Sequence, residues 1–382
     1  MKIFIDITVL TMVTFVTGIQ RVTREFLVRL IESNCFDVVL MHYNAAEDVY
    51  YKIENKTFLD YYVRGKGIKE RMITKEKVAI DSICKGTIFF DLDAVWMCRM
   101  KRSYLLPIVK EQGAKIIVHV YDIISITHPQ YCLDRTVYNF MDYLGAHLQY
   151  ADSIIVNAQA TVNELKKLTN TLDCKLPPCY VVPLGADFKE RQTVTEADVS
   201  HELVTAVKDK PYVLMVGTIE PRKNHKLVLE AYDKGLKRAG YNIIFAGYMG
   251  WNMEEFARQL KEHSNYGQGV YHFEGLNDTA ITYLYQNAKC LVFASYTEGF
   301  GLPIIEALQR GTPVVAADVP VLREVGGDNC LWFEQDNVDE LCEKVICCGT
   351  NKEKRIYGAT KLDVITWESS FNKLSKVLID EQ

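Results

Sequence analysis

No run of about 18 apolar residues occurs in the sequence, so no segment reads as a bilayer-spanning helix. The eleven cysteines are scattered and odd in number, and no two stand in a Cys-x-x-Cys spacing. A zinc ribbon or a disulfide framework is therefore not expected, and a reducing cytoplasm fits best. Cys290 and Cys330 sit in apolar runs and read as core. Neither sign of charge dominates. Lys and Arg number 44 against 49 Asp and Glu, a net charge of −5, which gives no reason to expect a nucleic-acid partner. Internal repeats and low-complexity segments are absent. The first residues do not form a signal peptide, because Asp6 interrupts the apolar run and the Thr-rich residues after it lack a clean cleavage site. What is present is a globular composition, 48% hydrophobic and 24% charged over 382 residues, long enough that two domains are the natural expectation.

One dense stretch organises the reading: Glu298-Gly299-Phe300-Gly301-Leu302-Pro303-Ile304-Ile305-Glu306. Upstream, Cys290–Tyr296 is apolar and reads as a strand buried on both faces. Downstream, Pro303 suits the first turn of a helix, where its missing N–H breaks no bond. The stretch is thus a strand, a glycine turn and a helix start. Gly299 and Gly301 let backbone approach a ligand, and the free N–H groups of the helix start suit a phosphate. Two carboxylates framing an anion site point to a phosphorylated ligand that also carries hydroxyls, and a nucleotide-sugar has both.

The pattern Glu, seven residues, Glu around Gly-Phe-Gly-Leu-Pro resembles the signature of the family-4 retaining glycosyltransferases. The resemblance implies an α/β fold of two facing Rossmann-like domains, the GT-B architecture, with a C-terminal helix crossing back to the first domain. On that basis residues 1–188, joined by 365–382, form the first domain, residues 189–208 the polar linker, and residues 209–364 the nucleotide-sugar domain.

Taken in order, Lys2–Ile7 reads as a buried strand followed by a Thr-rich loop to Thr17. Gly18-Ile19-Gln20-Arg21 opens an amphipathic helix. Arg21 is badly placed for the helix dipole, which favours a function for it. The segment is similar to the first-loop motif of a bacterial surface-polysaccharide subset of the family, where it faces the acceptor cleft. Between strands at Asp37–Tyr43 and Thr87–Leu92 lies the most basic stretch, Arg64 to Lys77. It reads as a solvated loop or, more sharply, as a patch for anionic lipid heads or a lipid-diphosphate acceptor. Ala114–Tyr121 is a further strand, running into Asp122. Many relatives have His-Asp there; here the pair is Tyr121-Asp122, so Asp122 matches and the role of Tyr121 is open. His119 reads as core and His128 as a loop residue. Helices are expected over Asp134–Tyr150 and Ala158–Leu168.

In the second half, Tyr212–Val216 is a buried strand leading into Gly217 and then Pro221-Arg222-Lys223. Two cations at a helix start oppose its dipole unless an anion lies there. Arg222 offers a fork for phosphate oxygens and Lys223 a compact charge. The resemblance makes them the grip on the donor diphosphate, and Asn224 is the expected N-cap. Strands at Asn242–Ala246 and Val270–Phe273 follow, and relatives hold the nucleobase near the turn Gly275-Leu276. Further strands are expected at Pro313–Ala317 and Cys330–Phe333, and helices over Asn337–Cys348, Lys352–Leu362 and Trp367–Ile379.

The resemblance implies a retaining transfer. Arg222, Lys223 and the backbone of Gly299, Phe300, Gly301 and Leu302 take the phosphates, Glu306 the ribose and Glu298 the moving sugar. Asp122, Tyr121, Gly18 and Arg21 lie on the acceptor side. No protein nucleophile, cofactor or metal is expected, the nucleotide-sugar being a substrate. Asp91-Leu92-Asp93 has metal-motif spacing but reads as structural. Mannose- or rhamnose-type donors are favoured, with a saccharide or lipid-linked saccharide acceptor, in a cytoplasmic protein that touches the inner membrane face peripherally. A phosphorylase, a nucleotide-sugar epimerase and a non-catalytic pathway scaffold stay open as alternatives.

Overall fold

The computed structural model describes residues 1–13, 17–186, 194–350 and 365–381, with residues 349 and 350 described by backbone alone. The chain divides into two compact units, Met1–Gly185 with Ile365–Gln382, and Ala186–Val364.

The first unit is built on an eight-stranded sheet. In chain order its strands are β1 (Lys2–Asp6), β2 (Asp37–Asn44), β3 (Val49–Ile53), β4 (Ile73–Val78), β5 (Thr87–Asp91), β6 (Lys115–Val120), β7 (Ser153–Val156) and β8 (Cys179–Val181). Their order across the sheet is β4-β3-β2-β1-β5-β6-β7-β8. The run from β2 to β8 through β1 is parallel, and β3 and β4 add antiparallel. Apolar runs such as Ile3–Ile5 and Ile116–Val118 are buried, because helices cover both faces of a parallel sheet and no alternation is needed. Helix Gly18–Glu32 lies in this unit, and helix Trp367–Asp380 packs on it. Trp367 is 2% exposed and meets Phe26 edge-on at 5.9 Å.

The second unit carries β9 (Tyr212–Val216), β10 (Asn242–Ala246), β11 (Val270–Phe273), β12 (Cys290–Phe293), β13 (Val314–Ala317) and β14 (Cys330–Phe333). They pair in the order β11-β10-β9-β12-β13-β14, every pair parallel. The direction of strand addition reverses between β9 and β12. Open parallel sheets bind ligands at such a switch point, beyond the C-terminal strand ends. In the first unit the same reversal falls between β1 and β5.

Several elements differ from expectation. Part of the Thr-rich loop, Thr8–Met12, is a short helix. Asp6 Oδ1 accepts from the Thr8 backbone N–H at 3.0 Å and from its hydroxyl, so a side chain starts the turn rather than any periodic pattern. Part of the expected linker, His201–Lys208, is also a helix. The Ser200 hydroxyl caps it and Leu203 and Ala206 are buried three residues apart. Residues 189–193 of that linker, and the helix expected over Lys352–Leu362, lie outside the described residues. The basic stretch is less a loop than a 3-10 turn, Lys69–Met72, leading into β4 at the sheet edge.

Candidate active site

The loops leaving β9 and β12 meet at the switch point of the second sheet, and they carry the charged residues singled out above. After β9 the chain makes a 3-10 turn, Pro221–Lys223, then Asn224 in the left-handed region at φ 54°. Asn224 caps helix His225–Ala231, accepting from the Leu227 N–H at 3.4 Å. Arg222 and Lys223 therefore precede the helix rather than occupying its first turn. After β12 the chain runs to Gly301 at φ 100°, a conformation that suits glycine. Helix Leu302–Gln309 starts there, with Pro303 in its first turn.

Arg222 is not a free cation. Its guanidinium lies 2.7 Å from Glu220 and 2.5 Å from Glu298, and Nη1 also donates to the Thr297 carbonyl at 2.9 Å. Glu298 is further held by the Ser295 hydroxyl, which donates at 2.9 Å. Burial alone would raise the Glu298 carboxyl. Arg222 beside it, then Lys223 and the hydrogen bonds from Arg222 and Ser295, outweigh burial and hold it below the ordinary glutamate value. The pair is thus ionised, with Glu298 only 10% exposed.

Lys223 differs. Among the described residues its ammonium has no hydrogen-bond or ion-pair partner. It lies 5.9 Å from the Phe293 ring centroid and packs over Gly217, where a Cβ would come within 2.5 Å of Nζ. A Cβ on Gly301 would come within 3.9 Å of the same Phe293 ring. Lys223 and the start of helix Leu302–Gln309 therefore flank one aromatic ring, and both present positive charge. His225 adds none: burial, then Lys223 and His272, push its imidazole down to about 3.

Glu306 is buried one turn into that helix and accepts from the Tyr285 hydroxyl at 2.9 Å. Phe300 is also buried, and Leu302 half-buried. Gly275 and Leu276 lie in the turn after β11, and Asn277 then caps helix Asp278–Asn287. The exposed Tyr248, from the loop after β10, places its hydroxyl 3.2 Å from where a Cβ on Gly275 would sit. Glu220, Ser295 and Tyr285 were not singled out from sequence. Glu220 stands two residues before Arg222, a spacing that could have flagged it; Ser295 and Tyr285 carry no such signal.

In the first unit, Asp122 lies past the end of β6 and accepts from the Ile124 N–H at 3.0 Å. Nearby, the Glu164 carboxyl is pushed up first by burial and then by Asp122. Sequence reading missed this second carboxylate. Tyr121 is buried, and its hydroxyl donates to the Leu92 carbonyl at 2.6 Å and meets Thr23 at 3.2 Å. Its ring stacks on His119, which is fully buried. Tyr121, expected on the acceptor side, ties the segment after β6 to Leu92 after β5 and to helix Gly18–Glu32 through its hydroxyl. Gly18 is exposed and Arg21 half-buried in the first turn of its helix.

Asp91 and Asp93 are both fully buried. Arg102 grips Asp91 with two bonds of 2.7 Å and reaches Asp6 at 3.0 Å, while His147 meets Asp91 at 2.9 Å. Asp93 instead accepts the backbone N–H groups of Leu10 at 2.7 Å and Ala94 at 2.8 Å. In the basic stretch, Arg64 pairs with Asp60 and Lys69 donates to the Val13 carbonyl, leaving Lys66, Arg71, Lys75 and Lys77 exposed beside Ile68, 48% exposed.

Residues 198–357 match the family model described as "Glycosyl transferases group 1". A serotype-specific mannosyltransferase, WbdA of Escherichia coli, is 27% identical over 99% of this chain and 45% of its own length. The chain thus spans about half the length of that relative. O-antigen chain mannosyltransferase B of Escherichia coli is 26% identical over 86% of each chain. Among solved structures, Anabaena HepE in complex with UDP and glucose superposes over the full length of both chains at TM-score 0.66 and 13% identity. Sucrose-phosphate synthase from Thermosynechococcus elongatus does so over 99% of this chain and 98% of its own, at TM-score 0.67 and 15% identity. At such identities the two structures speak for the fold alone.

Proposed function

We propose that this chain, which matches the group 1 glycosyl transferases over residues 198–357, is a retaining glycosyltransferase. It moves a mannose-type sugar from a nucleoside diphosphate to a saccharide acceptor in the synthesis of a bacterial surface polysaccharide. The observation that carries the reading is the Arg222–Glu298 ion pair beside Lys223, whose ammonium has no ion-pair partner among the described residues, at the switch point of the second sheet. The mannosyltransferase relatives support the sugar and the pathway class.

Lys223 and the N–H groups opening helix Leu302–Gln309 receive the diphosphate. Its arrival offers Arg222 phosphate oxygens in place of Glu298. Glu298, already ionised, then turns to the hydroxyls of the sugar. As the glycosidic bond breaks, charge grows on the leaving phosphate, and cations fixed there stabilise the transition state more than the ground state. The leaving phosphate takes the proton of the acceptor hydroxyl on the same face of the sugar, so no protein nucleophile takes part. Glu306 accepts from the ribose hydroxyls. Asp122 and the Gly18–Arg21 segment of the first unit hold the acceptor. The exposed cations from Lys66 to Lys77, with Ile68, support peripheral contact with anionic lipid heads when that acceptor is lipid-linked.

The test is a thermal-shift screen against GDP, UDP, dTDP and ADP, with and without magnesium, followed by transfer from the sugar of the best nucleotide. A ligand well above its dissociation constant adds about 2–4 kcal/mol of apparent stability. A shift with one nucleotide in chelator supports a metal-independent transferase; no shift with any nucleotide sinks the reading.

A further inference from the structure

Three loops converge behind the Arg222–Glu298 pair, and one carboxylate oxygen joins them. Asp336 lies past β14, at φ 60°. Its Oδ1 accepts from the Asn224 side-chain amide at 3.0 Å and from the Tyr296 hydroxyl at 2.6 Å. Asn224 follows Lys223 and caps the helix after the Arg222 turn. Tyr296 stands two residues before Glu298, and its backbone N–H donates to the Arg222 carbonyl at 2.8 Å. Gln335, the neighbour of Asp336, donates its side-chain amide to the Tyr296 carbonyl at 2.9 Å.

We propose that Asp336 is a positioning residue for this site, holding the loops after β9 and β12 in the register that sets Arg222 and Lys223 beside Glu298.

The physical case rests on what each bond restrains. Asn224 occupies a left-handed conformation and turns its side-chain oxygen to the helix N–H groups. Its amide nitrogen must then point the other way, and Asp336 supplies the acceptor there. This fixes which way the amide faces and so the exit of the Arg222-Lys223 turn. The Tyr296 hydroxyl, meeting the same oxygen, anchors the other loop one residue before Thr297, whose carbonyl takes an Arg222 N–H. An ionised acceptor makes both bonds stronger than a neutral one would. Small displacements of such a support lower activity far more than stability, because a site must be held within about 0.5 Å. Asp336 touches none of the groups assigned to the donor.

The inference rests on the transferase reading, and the experiment separates the two. Affinity for GDP, UDP and dTDP is measured by calorimetry for the unsubstituted protein, Asp336→Ala, Asp336→Asn and Tyr296→Phe, with the melting temperature of each. The expectation is a loss of about tenfold in Asp336→Ala with the melting temperature lowered by only a few degrees. Asp336→Asn should recover most of the affinity, since a carboxamide oxygen still accepts from both donors. Tyr296→Phe, which removes only a hydroxyl, should show a smaller loss of the same kind and stands in if Asp336→Ala does not fold. Equal affinity in all four proteins, or Asp336→Asn no better than Asp336→Ala, overturns the inference alone. Failure of the unsubstituted protein to bind any of these nucleotides, or ADP, overturns the transferase reading and this inference with it.

Discussion

The Arg222 guanidinium and the Glu298 carboxylate lie 2.5 Å apart, brought together by loops from neighbouring strands β9 and β12. With Glu220 on the other side of the guanidinium, one cation is answered by two anions before any ligand arrives. Anion binding here is therefore an exchange of partners, and the predictions below separate the residues that exchange from those that stay.

Replacing Glu298 with Gln should lower turnover by about 10²–10³-fold, the size seen when one preorganised polar partner of a transition state is removed. Nucleotide affinity should hold or rise, because Arg222 is released from one competitor. Steady-state kinetics with a calorimetric binding curve would check both, and unchanged turnover would remove Glu298 from the chemistry.

Lys223→Ala should weaken nucleoside diphosphate binding by about 10–100-fold, or roughly 1.4–2.8 kcal/mol. Stability should change little, since among the described residues its ammonium has no partner to lose. Lys223→Arg should restore part of the affinity. An Ala variant that melts early but binds normally would assign Lys223 to the scaffold.

Asp93 sets a pH dependence on the first unit. Burial, working against the N–H groups of Leu10 and Ala94, pushes its carboxyl up to about 7. The folded protein then keeps a proton that the unfolded chain releases near 3.8. Stability from this group is complete below that value and is lost as pH rises to about 7, by up to about 4 kcal/mol. Asp91 runs the opposite way. Burial raises it, but Arg102 and His147 bring it down to about 2, so its stabilisation is present above about 4 and is lost as pH falls towards 2. Melting temperatures from pH 4 to 8 should show a decline that Asp93→Asn flattens; an identical slope in the variant would contradict the assignment.

Trp367→Ala should destabilise the first unit by about 3–5 kcal/mol, because a side chain 2% exposed is removed from the face of Phe26. Urea unfolding followed by a probe in that unit would report it. A loss below 1 kcal/mol would mean that the last helix adds little to the unit.

Much of this was legible in advance, for a physical reason. Strands buried on both faces are largely apolar, so Tyr212–Val216 and Asn242–Ala246 could be read to the residue, and the half-buried edge strands Val270–Phe273 and Cys330–Phe333 kept short apolar runs that gave the same bounds. The antiparallel strands β3 and β4 could not. They carry Tyr, Lys and Glu in partly exposed positions at the sheet edge, where Lys75 and Lys77 discourage further pairing. The short helix Thr8–Met12 depends on Asp6, which no local pattern announces. At the site, residue types and turns were readable, but ion-pair partners were not. Nothing in the order of residues says that Glu220 and Glu298 share one guanidinium, or that the Tyr121 hydroxyl faces Leu92.

The way the first unit closes bears on how the protein is made. Its core begins with β1 and is finished by helix Trp367–Asp380, with the whole of the second unit threaded between. During synthesis the second unit is complete in sequence before the first can be. Until residue 380 is free of the ribosome, Phe26 and its helix present an uncovered apolar face. The second unit is thus a continuous segment of chain, while the first waits for its final helix, and apolar surface left open in that interval favours aggregation.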